Sequence, residues 1–137
     1  MPRRRTDRTK GEKDAARILI VDDDVGIRAV LAEALSRRGY QVQQAPDGLW
    51  VSRALDAGAF AFDLVVLDWK MPGLDGLTVL QQLRTFAQET LVILTSIAAD
   101  DQLRVEALSQ GAFAVLRKPL NFGALVSLVE RALQHTG

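Results

Sequence analysis

Four stretches of the chain are apolar without interruption: Ile18-Leu19-Ile20-Val21, Leu64-Val65-Val66-Leu67, Leu91-Val92-Ile93-Leu94 and Ala114-Val115-Leu116. Such short runs without polar alternation predict strands covered on both faces, the central strands of a parallel sheet. Tyr40 to Ala45 instead alternates apolar and polar residues, the pattern of an edge strand. Helical spacing fills the intervals, with Ile27, Val30, Leu31, Ala34 and Leu35 on one stripe and Leu77, Leu80 and Leu83 on another. A third stripe holds Leu125, Leu128, Val129, Ala132 and Leu133. Gly39 and Gly111 sit where helices should stop, and Asp47, Asp75, Asp100 and Asn121 where they should start. Five strand-then-helix repeats predict an α/β fold, a doubly wound five-stranded parallel sheet with helices on both faces. Such sheets bind ligands beyond the carboxyl ends of their strands.

Charge divides the chain unevenly. Residues 1–14 carry Arg3, Arg4, Arg5, Arg8, Lys10 and Lys13 against Asp7, Glu12 and Asp14, with no aliphatic run to bury, and read as a flexible basic arm before a domain over 15–137. The whole chain of 137 residues is neutral, so general nucleic-acid binding by the folded domain is not expected. No apolar run approaches the ~20 residues of a membrane span, and the N-terminus lacks the apolar core of a secretory signal, so a cytoplasmic protein is expected. Cysteine is absent, and the one histidine, His135, lies at the far end of the chain. Thiol chemistry is thereby excluded and a histidine base in a formed pocket is not expected, leaving carboxylate, hydroxyl, lysine and a hard metal ion.

The residues that end the strands are of that kind. The first apolar run ends in Asp22-Asp23-Asp24, the second in Asp68, the third in Thr95-Ser96 and the last is followed by Lys118-Pro119. Taken singly, each has an ordinary explanation: an aspartate after a strand caps the next helix, which is the role expected of Asp24, and a threonine or lysine there is common. Together, the topology brings them to one edge of the sheet. Two carboxylates ~5 Å apart repel by roughly 3 kcal/mol at an effective dielectric of 20, so the group needs positive charge. Lys118 supplies some, and Mg2+, which favours carboxylates, waters and phosphate oxygens, suits the remainder. With Thr95 donating to one phosphoryl oxygen and Lys118 pairing with another, the set reads as a phosphoryl-transfer site.

These residues, with VDDD at 21–24, LDWKMPGLDG at 67–76, ILTS at 93–96 and GAFAVLRKP at 111–119, resemble the receiver domain of two-component response regulators over residues 16 to about 134. The resemblance implies a flavodoxin-like (βα)5 sheet of strand order 2-1-3-4-5. It implies that Asp68 is the phosphoacceptor, that Asp22 and Asp23 hold Mg2+ with Asp68 and the Lys70 backbone carbonyl, and that Lys118 is the invariant lysine. Thr95, with Ser96 beside it, matches the switch hydroxyl, and Pro119 a proline that follows a cis peptide bond. The implied reaction is transfer to Asp68 from a phosphohistidine of a sensor histidine kinase or phosphotransfer protein, followed by a population shift that alters the surface for a downstream protein. The role is that of a signalling phosphoacceptor rather than an enzyme with turnover.

Two features depart from the family pattern. Val115 stands where most receivers carry an aromatic residue coupled to the switch hydroxyl, with Phe113 nearby but expected to point elsewhere. Lys70 and Ile97, two residues after Asp68 and Thr95, flank the expected path of hydrolytic water and should slow it. Trp69 and Met71 beside the acceptor read either as a partner-contact patch or, from the family's loop packing, as half-buried, and Leu103 and Val105 are candidates for a partner or homodimer face. A haloacid dehalogenase-like phosphohydrolase also fits Asp22-Asp23-Asp24 superficially, but Gly26 replaces its threonine or valine and little chain remains for a cap. A receiver acting only as a binding module is the other alternative. Both a free-standing receiver and a segment of a longer regulator fit this length.

Overall fold

A computed structural model describes residues 16–97 and 100–136; the basic arm expected over 1–14 lies outside the described residues. Five strands alternate with five helices: β1 (Arg17–Val21), α1 (Val25–Ser36), β2 (Gln41–Ala45), α2 (Gly48–Asp56), β3 (Leu64–Asp68), α3 (Gly76–Phe86), β4 (Leu91–Ser96), α4 (Asp101–Ser109), β5 (Ala114–Arg117) and α5 (Phe122–Thr136). All neighbouring strands run parallel, in the order β2-β1-β3-β4-β5, as the sequence pattern and the family resemblance predict.

The two-residue period of the strands splits the core into two layers. Leu19, Val21, Val65, Leu67, Val92, Leu94 and Val115 face Val51, Val79, Leu80, Leu83 and Ala107 of α2, α3 and α4. On the opposite face, Ile18, Ile20, Leu64, Val66 and Ile93 meet Leu31 and Leu35 of α1 and Leu125, Val126, Val129 and Ala132 of α5. Each aliphatic side chain buried this completely contributes about 1.5–3 kcal/mol, and the doubled burial explains why these strands carry no polar alternation.

Helix ends follow local chemistry. Asp24, Asp47, Asp75 and Asp100 each accept a backbone N–H from the first turn of the helix they precede, and Asn121 does the same for Ala124. Gly39 and Gly111 take positive φ values of 92° and 100° just past their helices, a conformation that disfavours side chains with a Cβ.

Three expectations need correction. The fifth apolar run is an edge strand, not a central one: β5 pairs only with β4, and of its four residues only Val115 is fully buried. Its apolar character arises because α4 and α5 cover both its faces even at the edge. Val30 is 47% exposed, since Ile27, Leu31 and Leu35 already form the inward stripe and Val30 falls beside it. Leu103 and Val105 do not share a face: Leu103 is buried, whereas Val105 is 67% exposed, as a separation of two residues on a helix requires.

The β3–α3 connection closes tightly. Gly76 donates its N–H to Trp69 O at 2.8 Å, and a Cβ there would lie 2.7 Å from Trp69 Cα and 2.9 Å from Asp68 O. Gly76→Ala is therefore expected to push the loop away from Asp68 and destabilise the fold by about 1–3 kcal/mol, measured by urea unfolding. An unchanged midpoint would show that the loop yields freely.

Candidate functional site

The parallel topology sets every strand's carboxyl end on one edge, and the register aligns those ends. Asp68 pairs with Thr95 across β3 and β4, and Thr95 with Leu116 across β4 and β5. Asp22 directly follows Val21, the residue that pairs with Leu67. By parity Asp68 and Thr95 lie on the α1/α5 side of the sheet, opposite Leu67 and Leu94. The backbone seals the edge further: Trp69 donates to Thr95 O at 2.8 Å and Lys118 to Ser96 O at 2.9 Å.

Asp22, Asp23 and Asp68 each present a carboxylate oxygen, all within 4.8 Å of one another. Asp22 and Asp68 are 3% and 5% exposed, while Asp23 opens to solvent. Lys118 reaches across the chain, its Nζ 2.9 Å from Asp22 Oδ2 and 3.3 Å from Asp68 Oδ1. Asp22 Oδ1 also accepts the Asp24 backbone N–H at 2.9 Å. Asp24 itself turns away to cap α1 through Ile27 N, the role expected of it. Thr95 and Ser96 are both buried at the end of β4. The Lys118–Pro119 peptide is cis, matching the expectation from Pro119.

One cation does not balance this cluster. Burial pushes the Asp68 carboxyl up from 3.8 to about 6, the charge of Asp22 pushes it the same way, and Lys118 only partly counteracts them. Burial also works against the Lys118 ammonium, but its hydrogen bond to Asp22 and the charges of Asp68 and Asp22 outweigh that and raise its pKa. Three hard oxygen donors with residual negative charge suit a small divalent cation, which would relieve the repulsion that raises Asp68.

The flanking residues are placed as follows. Trp69 is half-buried against the α2–α4 layer, as expected, whereas Met71 goes further and is buried in that layer. Lys70 and Ile97 are exposed beside the site. Val115 is buried in the α2–α4 layer, and its carbonyl accepts from Arg104 Nη1 of α4 at 2.8 Å; Phe113 is partly exposed.

Sequence reasoning passed over Arg28. From the first turns of α1 its Nη1 donates to Asp22 O at 2.6 Å and its Nε to Gln44 Oε1 of β2 at 3.3 Å. The available signal was its position: a cation so near a helix N-terminus works against the helix dipole and calls for a local acceptor.

A family model described as the response regulator receiver domain matches residues 18–130. The chain is 38% identical over 119 residues to the regulatory protein AtoC of Escherichia coli, covering 86% of this chain and 25% of that protein. It is 35% identical over 118 residues to sporulation initiation phosphotransferase F of Bacillus subtilis, covering 85% of this chain and 93% of that protein. The chain thus spans about a quarter of some curated relatives and nearly all of another. Among solved structures, the receiver domain of the Francisella response regulator 1452 is similar with a TM-score of 0.80 at 29% identity, over 89% of this chain and 99% of that one. A CheY-like receiver domain protein from Methanospirillum hungatei gives 0.82 at 27% identity, over 89% and 96%.

Proposed function

The chain belongs to the response regulator receiver domain family, and from that premise we propose that it accepts a phosphoryl group on Asp68 from a sensor histidine kinase or a phosphotransfer protein and passes the event to a downstream protein. The observation that carries this reading is the convergence of Asp22, Asp23, Asp68 and Lys118, drawn from three strand ends up to 96 residues apart in the chain, into one cluster in which Lys118 bridges Asp22 and Asp68.

An Asp68 carboxylate oxygen attacks phosphorus; the bond from phosphorus to the donor's imidazole nitrogen breaks, its electron pair stays on that nitrogen, and an aspartyl phosphate results. Asp22, Asp23, Asp68 and the Lys70 carbonyl would hold Mg2+, which supplies charge stabilisation for the phosphoryl oxygens. Lys118, already poised between Asp22 and Asp68, turns to a phosphoryl oxygen, while Thr95 and the adjacent Ser96 at the end of β4 donate to another. Movement of Thr95 passes through β4 toward α4 and β5, which the hydrogen bond from Arg104 Nη1 to the Val115 carbonyl ties together. Similarity to sporulation initiation phosphotransferase F over nearly all of its length supports a phosphotransfer role. No helix among the described residues is long and apolar enough to cross a membrane.

Incubation with acetyl phosphate and MgCl2 tests the proposal. One phosphoryl group per chain by intact mass, requiring divalent cation, is the expected result. Continuous turnover of acetyl phosphate would instead indicate a hydrolase, and no uptake a binding module. The exposed Lys70 and Ile97 beside the site lead to a second expectation: replacing both by Ala should shorten the lifetime of the phosphorylated form severalfold in a chase after donor removal. An unchanged lifetime would show that these side chains do not obstruct water.

A further inference from the structure

The cation cluster needs Asp23 aimed at its two buried partners, although Asp23 itself lies in an exposed turn between β1 and α1. The main chain of Asp22 is held at both ends. Its N–H donates to Ala45 O of β2 at 3.2 Å, and its carbonyl accepts from Arg28 Nη1 at 2.6 Å. That carbonyl shares a rigid peptide plane with the Asp23 N–H, so fixing it fixes the direction in which the Asp23 residue departs. Arg28 is half-buried, and its guanidinium is itself propped at the solvent-facing side through Nε by Gln44 Oε1 at 3.3 Å. Gln44 pairs with Ile20 in the β2–β1 ladder, which makes the prop part of the sheet.

We propose that Arg28, supported by Gln44, is a positioning residue for the acidic site: it locks the Asp22–Asp23 peptide plane so that the Asp23 carboxylate stands within reach of Asp22 and Asp68 before a divalent cation arrives. The inference rests on the phosphoacceptor reading above and adds a residue to it. An arginine suits the task because its planar fork serves two acceptors in a fixed geometry, which an ammonium on a flexible stem does not. Groups that orient a metal's ligands commonly change affinity by tenfold or more when removed.

Calorimetric titration of the intact chain with MgCl2, alongside urea unfolding, tests this. Arg28→Ala is expected to weaken Mg2+ binding about tenfold with little change in the unfolding midpoint. Phosphoryl uptake from acetyl phosphate should slow at limiting Mg2+ and recover at saturating Mg2+. Arg28→Lys, which keeps the charge but not the fork, should remain closer to Arg28→Ala than to the parent protein. Gln44→Met should weaken binding by a smaller factor. Unchanged affinity in Arg28→Ala, or full restoration by Arg28→Lys, overturns the inference. Should Arg28→Ala fail to fold, unchanged affinity in Gln44→Met does the same. A parent protein that binds no Mg2+ and takes up no phosphoryl group would instead sink the phosphoacceptor reading.

Discussion

Replacing Asp68 with Asn is expected to abolish phosphoryl uptake and, in the absence of divalent cations, to make the protein more stable at neutral pH. The first effect follows from chemistry, since a carboxamide cannot form the acyl phosphate. The second follows from burial. In the folded protein the Asp68 carboxyl titrates at about 6 rather than 3.8, because desolvation and the neighbouring Asp22 charge disfavour its ionised form more than Lys118 favours it. The folded state therefore binds a proton more tightly than the unfolded chain. On account of this group, stability declines as pH rises from about 4 to 6 and stays reduced above that. The full difference amounts to about 2–3 kcal/mol. Asn carries no such penalty. The variant should match the parent near pH 4 and exceed it by about 1–3 kcal/mol at pH 7.5, read from urea unfolding without Mg2+. Added Mg2+ should stabilise the parent and narrow the gap. A variant less stable than the parent at pH 7.5 would mean that the Lys118–Asp68 contact already outweighs the burial of charge. The same residue would then be tuned for fold rather than for phosphoryl capture.

How much of this could be read from the chain depends on which physical rule governs each residue. β1, β3 and β4 announce themselves because burial on two faces demands unbroken apolar runs, and β2 because one exposed face demands alternation. β5 was legible as a strand but not as an edge, since the helices that shield it are invisible in a local pattern. The helices α2 and α4 had to be inferred from end signals, Asp47 for the first and Asp100 with Gly111 for the second. In α4 only Leu103 and Ala107 are buried, too few for a clear stripe, which is why Leu103 and Val105 were assigned to one face. The strand-end set was legible for a topological reason: in a parallel sheet every residue that follows a strand returns to the same edge, so Asp22, Asp68, Thr95 and Lys118 had to meet. Arg28 escaped because its contact is with a backbone carbonyl, and no pattern of residue types reports where a guanidinium finds main chain.

Lys118→Met offers the sharpest contrast with Asp68→Asn, because it removes the cation and leaves the acids. Methionine fills similar volume, so the main change is electrostatic: Asp22 Oδ2 loses a partner at 2.9 Å and Asp68 Oδ1 one at 3.3 Å, both nearly inaccessible to water. Breaking a buried pair from one side costs about 3–5 kcal/mol, and the partial exposure of Lys118 places the expected loss near the lower end, about 3 kcal/mol at pH 8 without divalent cations. The sign follows from both partners. The raised pKa of Lys118 means that its contribution is present throughout the neutral range and fades only in strong base. Lys118 also lowers the pKa of Asp68, so without it Asp68 holds its proton to still higher pH. Below about pH 5 Asp68 is protonated with or without the lysine, and much of the repulsion is gone. The destabilisation should therefore shrink markedly at pH 5, and Mg2+ at pH 8 should recover part of it by substituting for the lost charge. Phosphoryl uptake should slow without vanishing, since the nucleophile and the other two carboxylates remain. Equal losses at pH 5 and pH 8 would assign the effect to packing of the lysine stem, and would remove charge balance as the reason this side chain bridges β1 and β3.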